Sequence, residues 1–96
     1  MSEKELYQQK RRAQLDEWRA EADKLKAKTS GASADVQLEM RKQIRVLEGK
    51  LDEGKAKLSE LADAGDEAWD SIKGGVESAW DSLKTGFSDA ARKFKD

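Results

Sequence analysis

The sequence contains no cysteine, no proline and no histidine. Without cysteine there is neither a disulfide framework nor a thiolate zinc site. Without histidine the commonest general base is missing, and so is the Glu-x-x-His element of a di-iron carboxylate site. Without proline, nothing of that kind breaks a long helix. No run of about 18 apolar residues occurs, so no helix is expected to span a membrane. The opening Met1-Ser2-Glu3-Lys4-Glu5 has no apolar stretch behind it and is not a secretory signal, so a cytoplasmic location is the default expectation. Excess charge is missing too: 19 basic and 20 acidic residues leave a net charge of −1. Nucleic acid is therefore not an expected partner.

What is present is charge of both signs laid over helical periodicity. Charged residues make up 41% and hydrophobic residues 36% of 96 residues, which suits one domain (1–96) of solvated helices around a modest core. The most informative stretch is AWDSIKGGVES, AWDSLKTGFSD, AARKFKD, residues 68–96. It is one eleven-residue unit written twice and begun a third time. Trp69 aligns with Trp80, Ile72 with Leu83 and Phe94, and Val76 with Phe87; Lys73, Lys84 and Lys95 recur in step. Eleven residues over three turns is about 3.67 per turn, close to an ideal helix. The apolar positions then share an arc of roughly 160°, wider than a coiled-coil seam. Small residues (Ala68, Gly75, Ala79, Gly86, Ala90) hold one edge and large aromatic ones the other. Such an arc needs cover from two neighbouring helices, a second chain or a lipid surface. The expected interaction face is Trp69, Ile72, Val76, Trp80, Leu83, Phe87 and Phe94.

Upstream, the pattern predicts a first helix over 3–28, a turn at 29–33 and a second helix over 34–63. Ser2 and Glu5 fit a capping box. The first stripe (Tyr7, Gln14, Leu15, Trp18, Ala22, Leu25) is narrow and is interrupted by Arg11. In Thr29-Ser30-Gly31-Ala32-Ser33, Gly31 is suited to a left-handed helix end and Ser33 to capping the next helix. The second stripe (Val36, Met40, Ile44, Leu47, Leu51, Gly54, Leu58, Leu61) has coiled-coil spacing. At Ala64-Gly65-Asp66 two readings compete. The apolar face after Gly65 is in phase with the one before it, which favours one helix of about 60 residues, roughly 90 Å long. The alternative is a break there, with a repeat helix over 66–95 and a three-helix up-down-up bundle. The favoured fold is all-α: an antiparallel helical hairpin whose long second helix continues into the amphipathic repeat.

No constellation points to a reaction. Gly49 to Lys55 matches G-x-x-x-x-G-K, but Ala56 follows where a phosphate loop needs a hydroxyl, and the segment sits mid-helix. Adjacent acids such as Asp52-Glu53 diverge by about 100° on a helix. Asp63 with Glu67, and Asp66 with Asp70, are i, i+4 pairs of a kind that arises by chance among twenty acids. No catalytic, metal-binding or cofactor-binding residue is assigned, and no small-molecule substrate is expected.

The helix around Trp18, the turn from Ser30 to Ala34 and the AWDSIKGGVESAWDSLKTGF stretch resemble a family of small bacterial coiled-coil-domain proteins. That resemblance implies an all-helical fold and carries over no active-site residue. The eleven-residue units alone are similar to those of exchangeable apolipoproteins, synucleins and late-embryogenesis-abundant proteins, which implies lipid surfaces or desiccation protection. The expected function is a non-enzymatic structural or interaction protein that self-associates, as a homo-oligomer, through its C-terminal helix. The alternatives are a peripheral protein of a membrane surface and a stress-protective helical protein.

Overall fold

The computed structural model describes residues 2–94. Three helices follow one another: α1 (Glu3–Thr29), α2 (Ala34–Asp63) and α3 (Asp66–Lys93). The fold is all-α, and the described residues contain no strand. None of the described helices is long and apolar enough to cross a membrane.

Each helix begins and ends where local chemistry favours it. The Ser2 side chain accepts a hydrogen bond from the Glu5 backbone N–H at 3.2 Å, satisfying one of the free donors at the start of α1. Glu3 and Glu5 in the first turn, with Lys26 and Lys28 in the last, oppose the helix dipole. The α1–α2 turn departs from expectation in two details. No glycine has a positive φ, so Gly31 is not left-handed, and the Ser33 hydroxyl makes no capping bond. The last turn of α1 is tied off instead by Gly31 N–H to Lys28 C=O (3.2 Å) and Ala32 N–H to Thr29 C=O (3.1 Å). The Thr29 hydroxyl bonds back to the Leu25 carbonyl at 2.8 Å.

The favoured single long helix does not form; the three-helix bundle does. The chain breaks at Ala64 (ψ 138°) and Gly65 (ψ 175°), both extended. The whole molecule measures 51 × 21 × 18 Å, far short of the roughly 90 Å that a 60-residue helix spans. Matching phase is compatible with a straight helix but does not enforce one. Breaking α2 from α3 forgoes a few backbone hydrogen bonds. In return, α3 lays its large side chains on its own chain, at about 1.5–3 kcal/mol for each one buried. The break also places Asp63 and Glu67 on different helices, so they are not an i, i+4 pair.

Side-chain contacts give the directions. Lys26 reaches Glu48, and Lys93 reaches Glu39, so α2 runs antiparallel to both neighbours. Tyr7 meets Trp69, and Trp18 meets Trp80 and Phe87, so α1 and α3 run parallel. One apolar cluster fills the axis: Leu15 and Ala22 from α1, Leu47, Leu51, Leu58 and Leu61 from α2, and Trp69 to Ala90 from α3. Val36, expected in the second stripe, is 42% exposed, because it lies at the open end of α2.

Candidate interaction surface

The repeat folds as a helix whose apolar face is covered within the chain. Among the expected face residues, Val76 and Leu83 are fully buried, and Trp69, Trp80 and Phe87 are 9%, 3% and 8% exposed. Ile72 and Phe94 are partly buried against the same cluster. The arc is as wide as its periodicity implies; its two walls meet α1 and α2 of the same chain. Of the three kinds of cover that such an arc admits, two neighbouring helices supply it here, because α3 turns back at Gly65 instead of continuing straight from α2. Lys95 lies outside the described residues.

The two walls are held differently. Against α2 the contact is backbone-close. A Cβ on Gly86 would lie 3.0 Å from Leu47 Cδ2, and a Cβ on Gly54 would lie 3.2 Å from both Leu83 Cδ1 and Trp80 Cζ3. The small edge is divided: Gly86 and Ala90 are buried, Gly75 and Ala79 half-buried, and Ala68 exposed. Glycine costs α2 roughly 1 kcal/mol relative to alanine at position 54, and its missing side chain is the notch that admits the indole of Trp80.

Against α1 the backbones scarcely approach, and long side chains bridge the gap. Tyr7 packs edge-on to Trp69 with centroids 6.1 Å apart, and Trp18 lies 6.2 Å from Trp80 and stacks on Phe87 at 6.1 Å. Cations cover the outer rim. Lys4 Nζ is 5.0 Å from the Trp69 ring centre, Lys73 Nζ is 4.9 Å from that of Tyr7, and the Arg11 guanidinium is 5.0 Å from the same ring. Arg11, which interrupts the first stripe, also donates to Gln14 Oε1 at 3.0 Å and reaches Glu77 at 3.9 Å. The Tyr7 hydroxyl donates to Glu77 Oε1 at 3.4 Å. Two polar groups of the seam, Arg11 Nε and Trp80 Nε1, are buried without a hydrogen-bond partner among the described residues.

Exposed ion pairs fasten the ends of the bundle. Lys4 pairs with Asp66 where α3 begins. The hydrogen bond from Lys4, then its charge, holds the Asp66 carboxyl below its ordinary range. Lys93 donates to Glu39 at 3.1 Å where α3 ends, and that bond, then the charge, lowers Glu39 likewise. Lys26 is raised by its hydrogen bond to Glu48 and by that residue's charge, joining α1 to α2.

The Lys4–Tyr7–Arg11–Glu77 cluster was not read from the sequence, although a signal was there. Tyr7 and Trp18 are eleven residues apart, as Trp69 and Trp80 are. Parallel helices with equal aromatic spacing bring rings together in pairs.

Two adjacent segments, residues 69–79 and 80–90, match a family model described as the TMP repeat. Its units have the eleven-residue length of the repeat read from the sequence, in a register shifted by one residue. No curated protein and no solved structure gives a significant match to the chain. The chain is therefore a repeat-containing helical protein whose two matched units together form most of α3.

Proposed function

We propose that the protein is a non-enzymatic structural module that self-associates through α3. The observation that carries this reading is the asymmetry of the walls around α3. It meets α2 through backbone-close packing at Gly54 and Gly86, and it meets α1 through side chains: stacked rings, cations over rings, ion pairs and the Tyr7–Glu77 hydrogen bond. α3 follows the extended Ala64–Gly65 joint, and α1 also packs on α2, so α3 can leave its groove while α1 stays in place. Once separated, it carries most of the aromatic surface of the chain. Covering that surface again requires either the original groove or an equivalent groove on another copy. Static light scattering from low micromolar to millimolar concentration tests the reading. A mass that rises towards that of a dimer is expected, and a monomer throughout contradicts it.

A second reading, a membrane-surface protein, is favoured by the rim of α3. Lys73 and Lys84 follow the aromatic edge, and lysine beside indole suits a headgroup layer. Co-flotation with anionic vesicles at low salt is the test. Tryptophan emission is a poor probe here, since Trp69 and Trp80 are already buried in the free protein.

A further inference from the structure

We infer that two copies associate by exchanging α3: the Ala64–Gly65 joint straightens, and α3 of each copy fills the place on α1 and α2 that the other copy's α3 has left. This inference rests on the self-association proposed above and specifies its mode.

Three observations carry it. The first is the geometry of the joint. Ala64 has φ −74° and Gly65 φ −78°, both already close to helical values. Only the two ψ angles separate the broken chain from a continuous helix. A Cβ at Gly65 would meet nothing within 4 Å, so the bend leaves room for a side chain at this position.

The second is the phase of the apolar face. Leu47, Leu51, Gly54, Leu58, Leu61, Gly65, Trp69, Ile72, Val76, Trp80, Leu83, Phe87, Ala90 and Phe94 follow one another at intervals of three or four without interruption. This averages about 3.6 residues per turn, that of an unbroken α-helix. A chain that turns back at Gly65 has no need of this continuity, but the exchanged dimer requires it. Two antiparallel long helices are related by a two-fold axis perpendicular to their common plane. That axis leaves both copies of α1 on the same side of the plane. Each long helix must then present one continuous face along its whole length, to its own α1 in one half and to the other copy's α1 in the next.

The third is the crossing point. In the exchanged pair the two-fold axis passes the joint, where Leu61, Gly65 and Ala68 follow one another at intervals of four and three. Glycine and alanine there let the backbones approach. The exchange is isologous and closes at two copies, with every α1–α3 and α2–α3 contact of the monomer remade between chains. In dilute solution the closed monomer is held by concentration and by charge. Straightening brings Asp63 within one turn of Glu67, and Asp66 is already one turn from Asp70, so like charges line the rebuilt segment.

The test combines a joint variant with a covalent readout. Gly65→Ala favours the helical joint and is a weaker N-cap for α3, and it is expected to strengthen dimerisation roughly tenfold. Inserting Gly-Gly-Ser after Ala64 interrupts the continuous helix and is expected to return the protein to monomer with its helicity intact. In the Glu39→Cys/Lys93→Cys protein, which has no other thiol, a short bis-maleimide joins the end of α3 to the start of α2. For the dimer fraction isolated at millimolar concentration, exchange yields covalently linked dimers on a denaturing gel. A dimer that yields only internally linked single chains overturns the exchange while leaving self-association standing. A wild-type protein that is monomeric at millimolar concentration overturns both.

Discussion

Trp18 of α1 and Trp80 of α3 lie with ring centroids 6.2 Å apart. Eleven residues earlier in each helix, Tyr7 meets Trp69 at 6.1 Å. The eleven-residue period of α3 thus has a counterpart on α1, and the rings join two parallel helices whose backbones hardly meet. Replacing Trp80 by alanine is expected to cost about 3–5 kcal/mol, the usual loss for a buried large aromatic. Trp80→Phe retains a ring and removes the indole N–H that has no partner among the described residues, so it is expected to cost about 1–2 kcal/mol. Urea denaturation of both variants checks the order; equal losses would mean that the indole is not seated in the core.

The two glycines within α2 are expected to behave oppositely. A Cβ at Gly49 meets nothing within 4 Å, so Gly49→Ala gains helix propensity of about 0.5–1 kcal/mol. At Gly54 the same Cβ lies 3.2 Å from Trp80 and Leu83 and 3.4 Å from Leu15, so the gain is offset by crowding and Gly54→Ala is near neutral. Gly54→Leu overfills the notch and is expected to lose about 1–3 kcal/mol or more. Thermal unfolding of the three variants separates these outcomes. A Gly54→Leu protein as stable as wild type would show that α2 and α3 do not meet there.

Acid is expected to loosen both ends of α3. Asp66 and Glu39 have carboxyls depressed in the folded chain by Lys4 and Lys93. Their contribution to stability is therefore present above the ordinary carboxylate range and is lost as the pH falls below about 4. Both pairs are exposed, so the contribution is modest and weakens with salt. The Asp66→Asn/Glu39→Gln protein should show a flatter stability profile through that window at low ionic strength. A profile identical to that of wild type would mean that the pairs do not hold in solution.

Much of this architecture is legible in the residues. The stripes of α1 and α2, the Ser2 cap and the eleven-residue units place the helical segments and the 29–33 turn within a residue or two of their observed limits, although they favour joining the second segment to the third. The face of α3 is legible for the same reason, because burial follows period. The chain reversal at Ala64–Gly65 is not, since one phase serves both a straight helix and a bend. Its outcome depends on what α3 can bury against, a tertiary quantity absent from the local pattern. Gly54 is a similar case. By propensity it is a defect in α2, and only the indole lying against it explains its place.

The central claim is that α3 folds back onto its own chain in dilute solution. Spin labels at Glu39→Cys and Lys93→Cys, both on exposed residues, measure it directly at low micromolar concentration with excess unlabelled protein. Neighbouring antiparallel helices, with axes about 8–10 Å apart, place the labels within roughly 30 Å of each other. A separation near 80 Å, the length of about 54 helical residues, would contradict the reversal and with it the sheltered face of the repeat.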